Sequence, residues 1–522
     1  MSRLSRTFPQ RHTPAPDILN HAHAPAYKPY DSEALAELLF LGTLGHTCYA
    51  TGEHWAQETV VLCQNMAEKD PLFLAQAAVM ARTEGYVRSA PLVALMVLLS
   101  SRPRAQELGR RIFDRIVRTG DDLRNLVGLA QSGQFRSGYG GIVRRLVATW
   151  LNTHLDAYQA IKYAATSDRL SLKNILRLTH PAPSSQQQDA IFRWLVTGKI
   201  NPTQTPEPII ALESLSHGEI DPLLAITSYN LPFEAVMPRV SHGDSAVWTA
   251  LLQHAPYMFL LRSLRAMGQA KVWDNPANVE EAIRILTNPR RIAKAMQFPF
   301  RYYIAAQSLY DQVPQALTNA IYEALEISLA NVPDFGPIQI AVACDVSGSM
   351  SGTMINRHTS AATIAALFTA AIWKTKPDAA ILPFGTDVLP VAGNGRDSLV
   401  TLAQLIGQLQ GGGTDLSAPL RKLYQSRKAV DLFIGLTDSE DWSASGGWYY
   451  RGNFPEAWHN YKQFAPEARA VLIQLAPSGT RVVSPQEEDV HYVYGWSDRV
   501  LHYVAYVIQS QTMTDKIRAT PL

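Results

Sequence analysis

The sequence predicts two successive fold classes: an all-α array of short helices, then a doubly wound α/β domain. Three observations carry this prediction. Apolar residues recur at helical spacing from about Ser32 to Asn331, and after that the period changes to short apolar runs alternating with helical ones. The chain has 522 residues, more than the ~250–300 at which single hydrophobic cores stop growing. Asp345-Val346-Ser347-Gly348-Ser349 follows an apolar run with a carboxylate and two hydroxyls at alternating positions, where a buried strand should end.

Taken in order, residues 1–30 are rich in Pro, His and Arg and read as a loosely held arm. Apolar-periodic segments follow at 34–41, 72–81, 90–99, 110–117, 142–151, 209–215, 246–252, 283–286 and 316–330. Turn residues separate them, and roughly fifteen such helices without a convincing strand suggest stacked pairs, an α-solenoid. No fixed repeat period is visible. Asn331-Val332-Pro333-Asp334-Phe335-Gly336-Pro337 breaks the last helix and marks a boundary. Three domains result: the arm at 1–30, the helical module at 31–333 and the α/β domain at 334–522. In the last, strands are expected at 338–344, 379–384, 432–436, 470–475 and 490–494. Helices are expected at 359–375, 399–409, 418–425 and 500–508. That alternation implies a parallel sheet covered on both faces. Residues 442–465 read as an aromatic insertion.

Composition narrows the class. Apolar residues make up 47 % and charged residues 18 %, as in a packed globular protein. Cys48, Cys63 and Cys344 are far apart or in apolar runs. They suit buried thiols in a reducing compartment, not a disulfide framework or a zinc site. No signal-type apolar core follows the N-terminal arginines, and no apolar run reaches the ~18 residues of a membrane span. A soluble cytoplasmic protein without a membrane partner is expected. The net charge of +2 is unevenly spread: residues 101–200 hold 16 Lys+Arg against 7 Asp+Glu, while 334–522 hold 15 against 17. Such asymmetry points to a polyanion partner for the helical half. Arg111, Arg115 and Arg118 are spaced to share one helix face, and clustered guanidiniums neutralise phosphates in a sequence-tolerant, salt-dependent way.

The Asp345 loop offers one charged and two neutral oxygens with coordination sites left open, which suits a hard divalent cation such as Mg²⁺. Gly411-Gly412-Gly413-Thr414-Asp415 presents another hydroxyl, and Asp431-Leu432-Phe433-Ile434-Gly435-Leu436-Thr437-Asp438 is a second apolar strand ending in a carboxylate. Ligands gather at the carboxyl ends of strands in doubly wound sheets. Asp345, Ser347, Ser349, Thr414 and Asp438 together resemble the metal-ion-dependent adhesion site of von Willebrand factor type A domains.

The helical half carries a second resemblance. Leu41-Gly42-Thr43-Leu44-Gly45-His46-Thr47-Cys48-Tyr49-Ala50, then Gln134-Phe135-Arg136 with Gly140-Gly141-Ile142-Val143-Arg144-Arg145, then Lys162-Tyr163 and Lys173-Asn174-Ile175-Leu176-Arg177-Leu178-Thr179-His180-Pro181, resemble segments of TROVE modules. A TROVE module followed by a type A domain resembles the Ro family of RNA-binding proteins, bacterial type. The resemblance implies a HEAT-like helical-repeat ring with a positively charged hole. It implies small structured Y RNAs on the outer surface and single-stranded ends of misfolded RNAs in the cavity. It also implies a role in RNA quality control, processing or decay, with polynucleotide phosphorylase as a partner of bacterial members. By motif position, Lys162 and His180 match family residues implicated in RNA contact. Arg136, Arg144, Arg145, Lys173, Arg177, Arg111 and Arg115 are the candidate neighbours. The basic run that follows Lys162-Tyr163 in animal members is replaced here by Ala164-Ala165-Thr166-Ser167. His180 has a plainer reading as a helix cap, and Tyr302, Tyr303 and Trp194 read as core. No catalytic residues are expected: the metal carboxylates lack a general base or second-metal cluster, and no DNA partner is expected. The competing function is a metal-dependent protein-interaction scaffold built on the type A domain.

Overall fold

The computed structural model describes residues 15–21, 23–41, 51–135, 138–164, 170–239, 244–252, 254–295, 297–309, 311–356, 359–439, 454–476, 478–496, 500–507 and 512–522. The chain forms two compact units, one of 1–62 with 332–519 and one of 63–331 with 520–522.

The first unit is built on five parallel strands: β1 (Ile340–Asp345), β2 (Ala380–Phe384), β3 (Leu432–Thr437), β4 (Arg469–Gln474) and β5 (Val490–Tyr494). Their spatial order is β2-β1-β3-β4-β5. β1 and β3 are buried along their whole length, as sequences apolar on both faces must be when helices cover both sides. Ala361–Thr375 links β1 to β2; Leu399–Gly407 and Ala418–Gln425 lie between β2 and β3. Ser360 and Ser398 open two of these helices by accepting from the backbone N–H of Thr363 and Thr401. All five expected strands are present within two residues of the expected ranges. The 359–375 helix starts two residues late, because Thr359–Ser360 pairs with Met354–Asn356 in a small hairpin.

The expected insertion at 442–465 is in part a helix, Phe454–Phe464. It buries Phe454, Trp458 and Tyr461, spaced i, i+4, i+7, with Phe454 and Trp458 against Phe433 of β3. Residues 440–453 lie outside the described residues. The described part of the arm, residues 15–21 and 23–30, is also more ordered than its composition implies. Ile18–Leu19 pairs with Pro25–Ala26, and Tyr27 exchanges two backbone hydrogen bonds with Arg481. Residues 31–62, placed by sequence in the helical module, group with the sheet, because the Asp31–Leu41 helix packs on β5.

Glu37 anchors that helix. Its Oε1 accepts from Gln474 Nε2 at 3.0 Å, Ser478 N at 2.8 Å and Gly479 N at 3.2 Å. Burial raises its carboxyl to about 7, and the bonds from Ser478 and Gly479 and the charge of Arg481 only partly oppose this. The folded state therefore holds the Glu37 proton more tightly than the unfolded chain. The resulting stabilisation is fully present below about 4.5 and is lost as pH rises through about 7. Its size is up to ~3 kcal/mol. Denaturant titrations across this window should show Glu37→Gln with a flatter stability–pH profile than wild type. Superimposable profiles would refute the assignment.

The second unit is helical. Pro71–Thr83, Ser89–Ser100, Pro103–Ile116, Gly120–Gln131, Gly141–Thr153, Ala157–Ala164, Leu172–Thr179 and Gln186–Thr197 follow one another, with further helices to Gln315–Ile327. Ser89–Ser100 is buried from Ala90 to Leu99, so it is a core helix packed on both flanking neighbours. Tyr302 and Trp194 are in the core, as expected. Asp122 is fully buried and forms a hub: it accepts from Arg82 Nη2 at 2.7 Å, Thr119 N at 3.1 Å, Thr119 Oγ1 at 2.9 Å and Arg118 N at 3.2 Å. Arg118 is not on the helix of Arg111 and Arg115. That helix stops at Ile116, and Thr119 opens the next with a capping box. Cys63 and Cys344 are buried free thiols, and burial holds the Cys344 thiol up at about 12. Cys48 lies outside the described residues. No described helix is long and apolar enough to cross a membrane.

Candidate metal site and basic face

In the strand order β2-β1-β3-β4-β5, the connections reverse direction between β1 and β3. The crevice beyond the carboxyl ends of those two strands is where such sheets bind ligands. Asp345 is the last residue of β1, and Asp438 follows β3 directly. Both are fully buried. Asp345 Oδ1 accepts from Ser347 N at 2.9 Å and Oδ2 from Thr437 Oγ1 at 2.8 Å, while Ser347 Oγ and Ser349 Oγ lie 3.1 Å apart.

Thr414 reaches this edge through main-chain stitching. Gly411 N donates to Val346 O at 3.0 Å, Gly348 N to Gly412 O at 3.1 Å, Thr386 N to Gly411 O at 3.2 Å and Asp415 N to Gly385 O at 2.7 Å. Three loops, after β1, after β2 and before Ala418–Gln425, thus form one backbone network. Gly412 takes φ +71°, a left-handed conformation that favours glycine. Asp415, adjacent to Thr414, faces Arg421 at 2.6 Å and Ser417 N at 3.0 Å, so it fixes the loop and is not a ligand.

Burial, and then the charge of Asp438, push the Asp345 carboxyl well above the ordinary carboxylate range. The other groups acting on Asp345 are Ser347 and Thr437, and none is cationic. Two buried carboxylates that repel each other, flanked by hydroxyls, form an all-oxygen donor set. That chemistry fits a hard divalent cation. Thr437 and the 385–386 turn are parts of this edge that sequence reading missed. The signal was present: Phe384-Gly385-Thr386 also ends a strand with a glycine and a hydroxyl.

In the helical unit, Gly141–Thr153 packs on Leu172–Thr179, which also touches Ala157–Ala164. Arg144, Arg145, Lys173, Arg177 and His180 are exposed on these elements. Arg144 Nε donates to Thr179 O at 2.9 Å, which places it beside His180, and Tyr139 Oη lies 2.5 Å from Thr179 Oγ1. His180 is the C-cap of its helix, in the left-handed region at φ +48°, with its N–H on Leu176 O. The cap is therefore a main-chain role, and the imidazole is left at the surface. Lys162 pairs with Glu234 at 3.3 Å and lies over the Tyr158 ring. Burial alone would lower its pKa, but Glu234 and Tyr158 outweigh it and the net shift is upward. Arg111 and Arg115 are not open: they donate to the carbonyls of Leu522 and Pro521, because residues 520–522 lie along their helix. Arg136 lies outside the described residues.

A family model of the TROVE domain matches residues 49–204 and 236–362, more than half of the chain. The chain belongs to the TROVE family. Residues 339–507 match the model of the Ro60 vWA domain. The chain is similar to the RNA-binding protein RO60 of Deinococcus radiodurans, with 25 % identity over 513 residues, 92 % of this chain and 93 % of that protein. It also resembles the crystal structure of the Deinococcus radiodurans RO (RSR) protein, with a TM-score of 0.69 at 22 % identity, covering 92 % of this chain and 100 % of that one. That likeness carries the fold: a helical TROVE region and a parallel-sheet vWA domain, as the sequence predicts. In the helical unit, sequence reading missed Glu234, which pairs with Lys162, and Tyr139, which lies against Thr179.

Proposed function

We propose that this chain is a non-catalytic RNA-binding protein whose TROVE region carries the RNA. The observation that carries this reading is the gathering of Arg144, Arg145, Lys173, Arg177 and His180 on two packed helices, in a chain similar along nearly its whole length to a protein named for RNA binding. Guanidiniums and ammoniums on such a face meet phosphates, and structured RNA is read mainly through shape and backbone. In its finer form the reading has Y-like RNA on the outer surface and single-stranded RNA ends in a ring cavity. It also has cytoplasmic RNA quality control beside an exoribonuclease such as polynucleotide phosphorylase. Gel-shift titrations with a Y-like RNA and a 3′-tailed structured RNA test the reading. The double variant Arg145→Ala/Lys173→Ala should bind both RNAs more weakly and lower the salt slope by about 2. Absence of binding by the wild type at low salt would end the proposal.

We also propose that Asp345, Ser347, Ser349, Thr414 and Asp438 hold Mg²⁺. The cation would offset the two buried carboxylates and, when bound, supply an open position for a partner's carboxylate or phosphate. The chain's own contribution is to hold the loops in register through the Gly385–Gly411 network. Mg²⁺ should raise the thermal midpoint of the wild type and leave Asp345→Asn unmoved. In EDTA the variant should be at least as stable as wild type, because one of two repelling charges is gone. An equal Mg²⁺ response in both proteins would remove Asp345 from the site.

A further inference from the structure

Arg111 and Arg115 stand one turn apart on the Pro103–Ile116 helix, and both side chains reach solvent. Neither pairs with a carboxylate side chain among the described residues. The acids of this helix are Glu107 and Asp114, and they lie against Arg110 at 3.5 Å and His154 at 3.4 Å. The two guanidiniums meet residues 520–522 instead: Arg111 Nη2 donates to Leu522 O at 3.2 Å, and Arg115 Nη1 donates to Pro521 O.

The 520–522 segment is held from a second helix as well. Gln76 Nε2 donates to Thr520 O at 3.1 Å, and Thr520 is buried. Gln76 belongs to Pro71–Thr83, which packs on Pro103–Ile116. Main-chain oxygens of three successive residues are thus spent on Gln76, Arg115 and Arg111. A phosphate brings a full negative charge and two oxygens spaced for the guanidinium fork, and the Pro521 carbonyl brings neither. Holding three residues in place also costs conformational entropy. Pro103–Ile116 packs in turn on Gly141–Thr153, the helix that carries Arg144 and Arg145.

With RNA bound by the TROVE region as proposed above, we infer that Arg111 and Arg115 form a second phosphate-binding patch, covered by residues 520–522. RNA phosphates compete with this segment for the two guanidiniums, so the segment sets the affinity of the helical unit for RNA.

The test compares the full chain with a chain ending at Ala519, each with and without Arg111→Ala/Arg115→Ala. All four are titrated with one 3′-tailed structured RNA at salt concentrations from about 50 to 200 mM, and circular dichroism checks their folding. The shortened chain should bind about tenfold more tightly at low salt, with a salt slope steeper by up to about 2. In the Arg111→Ala/Arg115→Ala background, shortening should bring no gain. Gln76→Met keeps the bulk of the side chain and loses the donor to Thr520 O, so it should tighten binding by a smaller factor. If the shortened chain does not fold, Gln76→Met decides, and wild-type affinity in that variant overturns the inference. Equal affinities of the full and shortened chains, or a gain that survives loss of both arginines, also overturn it. Binding by the full chain without a gain on shortening leaves the RNA reading standing, whereas no binding by any of the proteins ends both.

Discussion

Gly385→Ala should destabilise the sheet unit by ~3 kcal/mol or more, at the upper end of overpacking effects. A Cβ at Gly385 would stand 1.9 Å from Gly411 O and 2.3 Å from Gly411 Cα. Both walls of this contact are main chain, so no side chain can turn away. Relief requires separating the two loops, which breaks the Thr386–Gly411 and Asp415–Gly385 bonds and draws Thr414 away from Asp345. With Mg²⁺ held as proposed, the variant should also lose the Mg²⁺-dependent rise in thermal midpoint. Gly407→Ala is the control: a Cβ there meets nothing within 4 Å and should change stability by no more than ~0.5 kcal/mol. Urea denaturation of both variants decides the matter, and a wild-type midpoint for Gly385→Ala would contradict the loop geometry.

Asp122→Ala should cost the helical unit ~3–5 kcal/mol, because it strands a buried guanidinium. Arg82 is 8 % exposed, and its other bond, Nε to Ile116 O at 3.0 Å, does not neutralise it. The same substitution frees the N–H groups of Arg118 and Thr119 and removes half of the capping box of Gly120–Gln131. The effect should extend to the Lys162 region. Gly120 N donates to Gln159 Oε1 at 3.4 Å, and a Cβ at Gly120 would touch Tyr163, so the helix start and Ala157–Ala164 are in close contact. Circular dichroism melts and RNA affinity measured together would show both losses. The double variant Arg82→Met/Asp122→Leu should recover much of the stability, since the stranded charge is then absent. Failure of that recovery would mean that the lost caps, not the charge, dominate.

Much of this architecture was legible because burial is written into composition. β1 reads Ile-Ala-Val-Ala-Cys-Asp and β3 Leu-Phe-Ile-Gly-Leu-Thr, runs that can only be central strands. The placement of Asp345 and Asp438 was legible for a related reason: a carboxylate at the end of such a run sits at the sheet's carboxyl edge, whatever the topology. The contact of Gly385 with Gly411 was not legible, because it depends on which strands become neighbours. The basic face shows the same division. The cluster of Arg144, Arg145, Lys173 and Arg177 follows from charge counting. The pairing of Lys162 with Glu234, or the engagement of Arg111 by Leu522, depends on contacts between segments distant in sequence. Phe454–Phe464 was overlooked because its aromatic content suggested an insertion, although the spacing of Phe454, Trp458 and Tyr461 is helical.

The three bonds from Glu37 to Gln474, Ser478 and Gly479 span up to 442 residues of chain. On a ribosome adding ~5–20 residues per second, the Asp31–Leu41 helix waits ~20–90 s for the strand it caps. Through that interval its apolar face, Leu35 to Leu41, has no native cover, while the helical unit is made and can fold behind it. This helix is thus made before the helical unit and completes its buried contacts only after it.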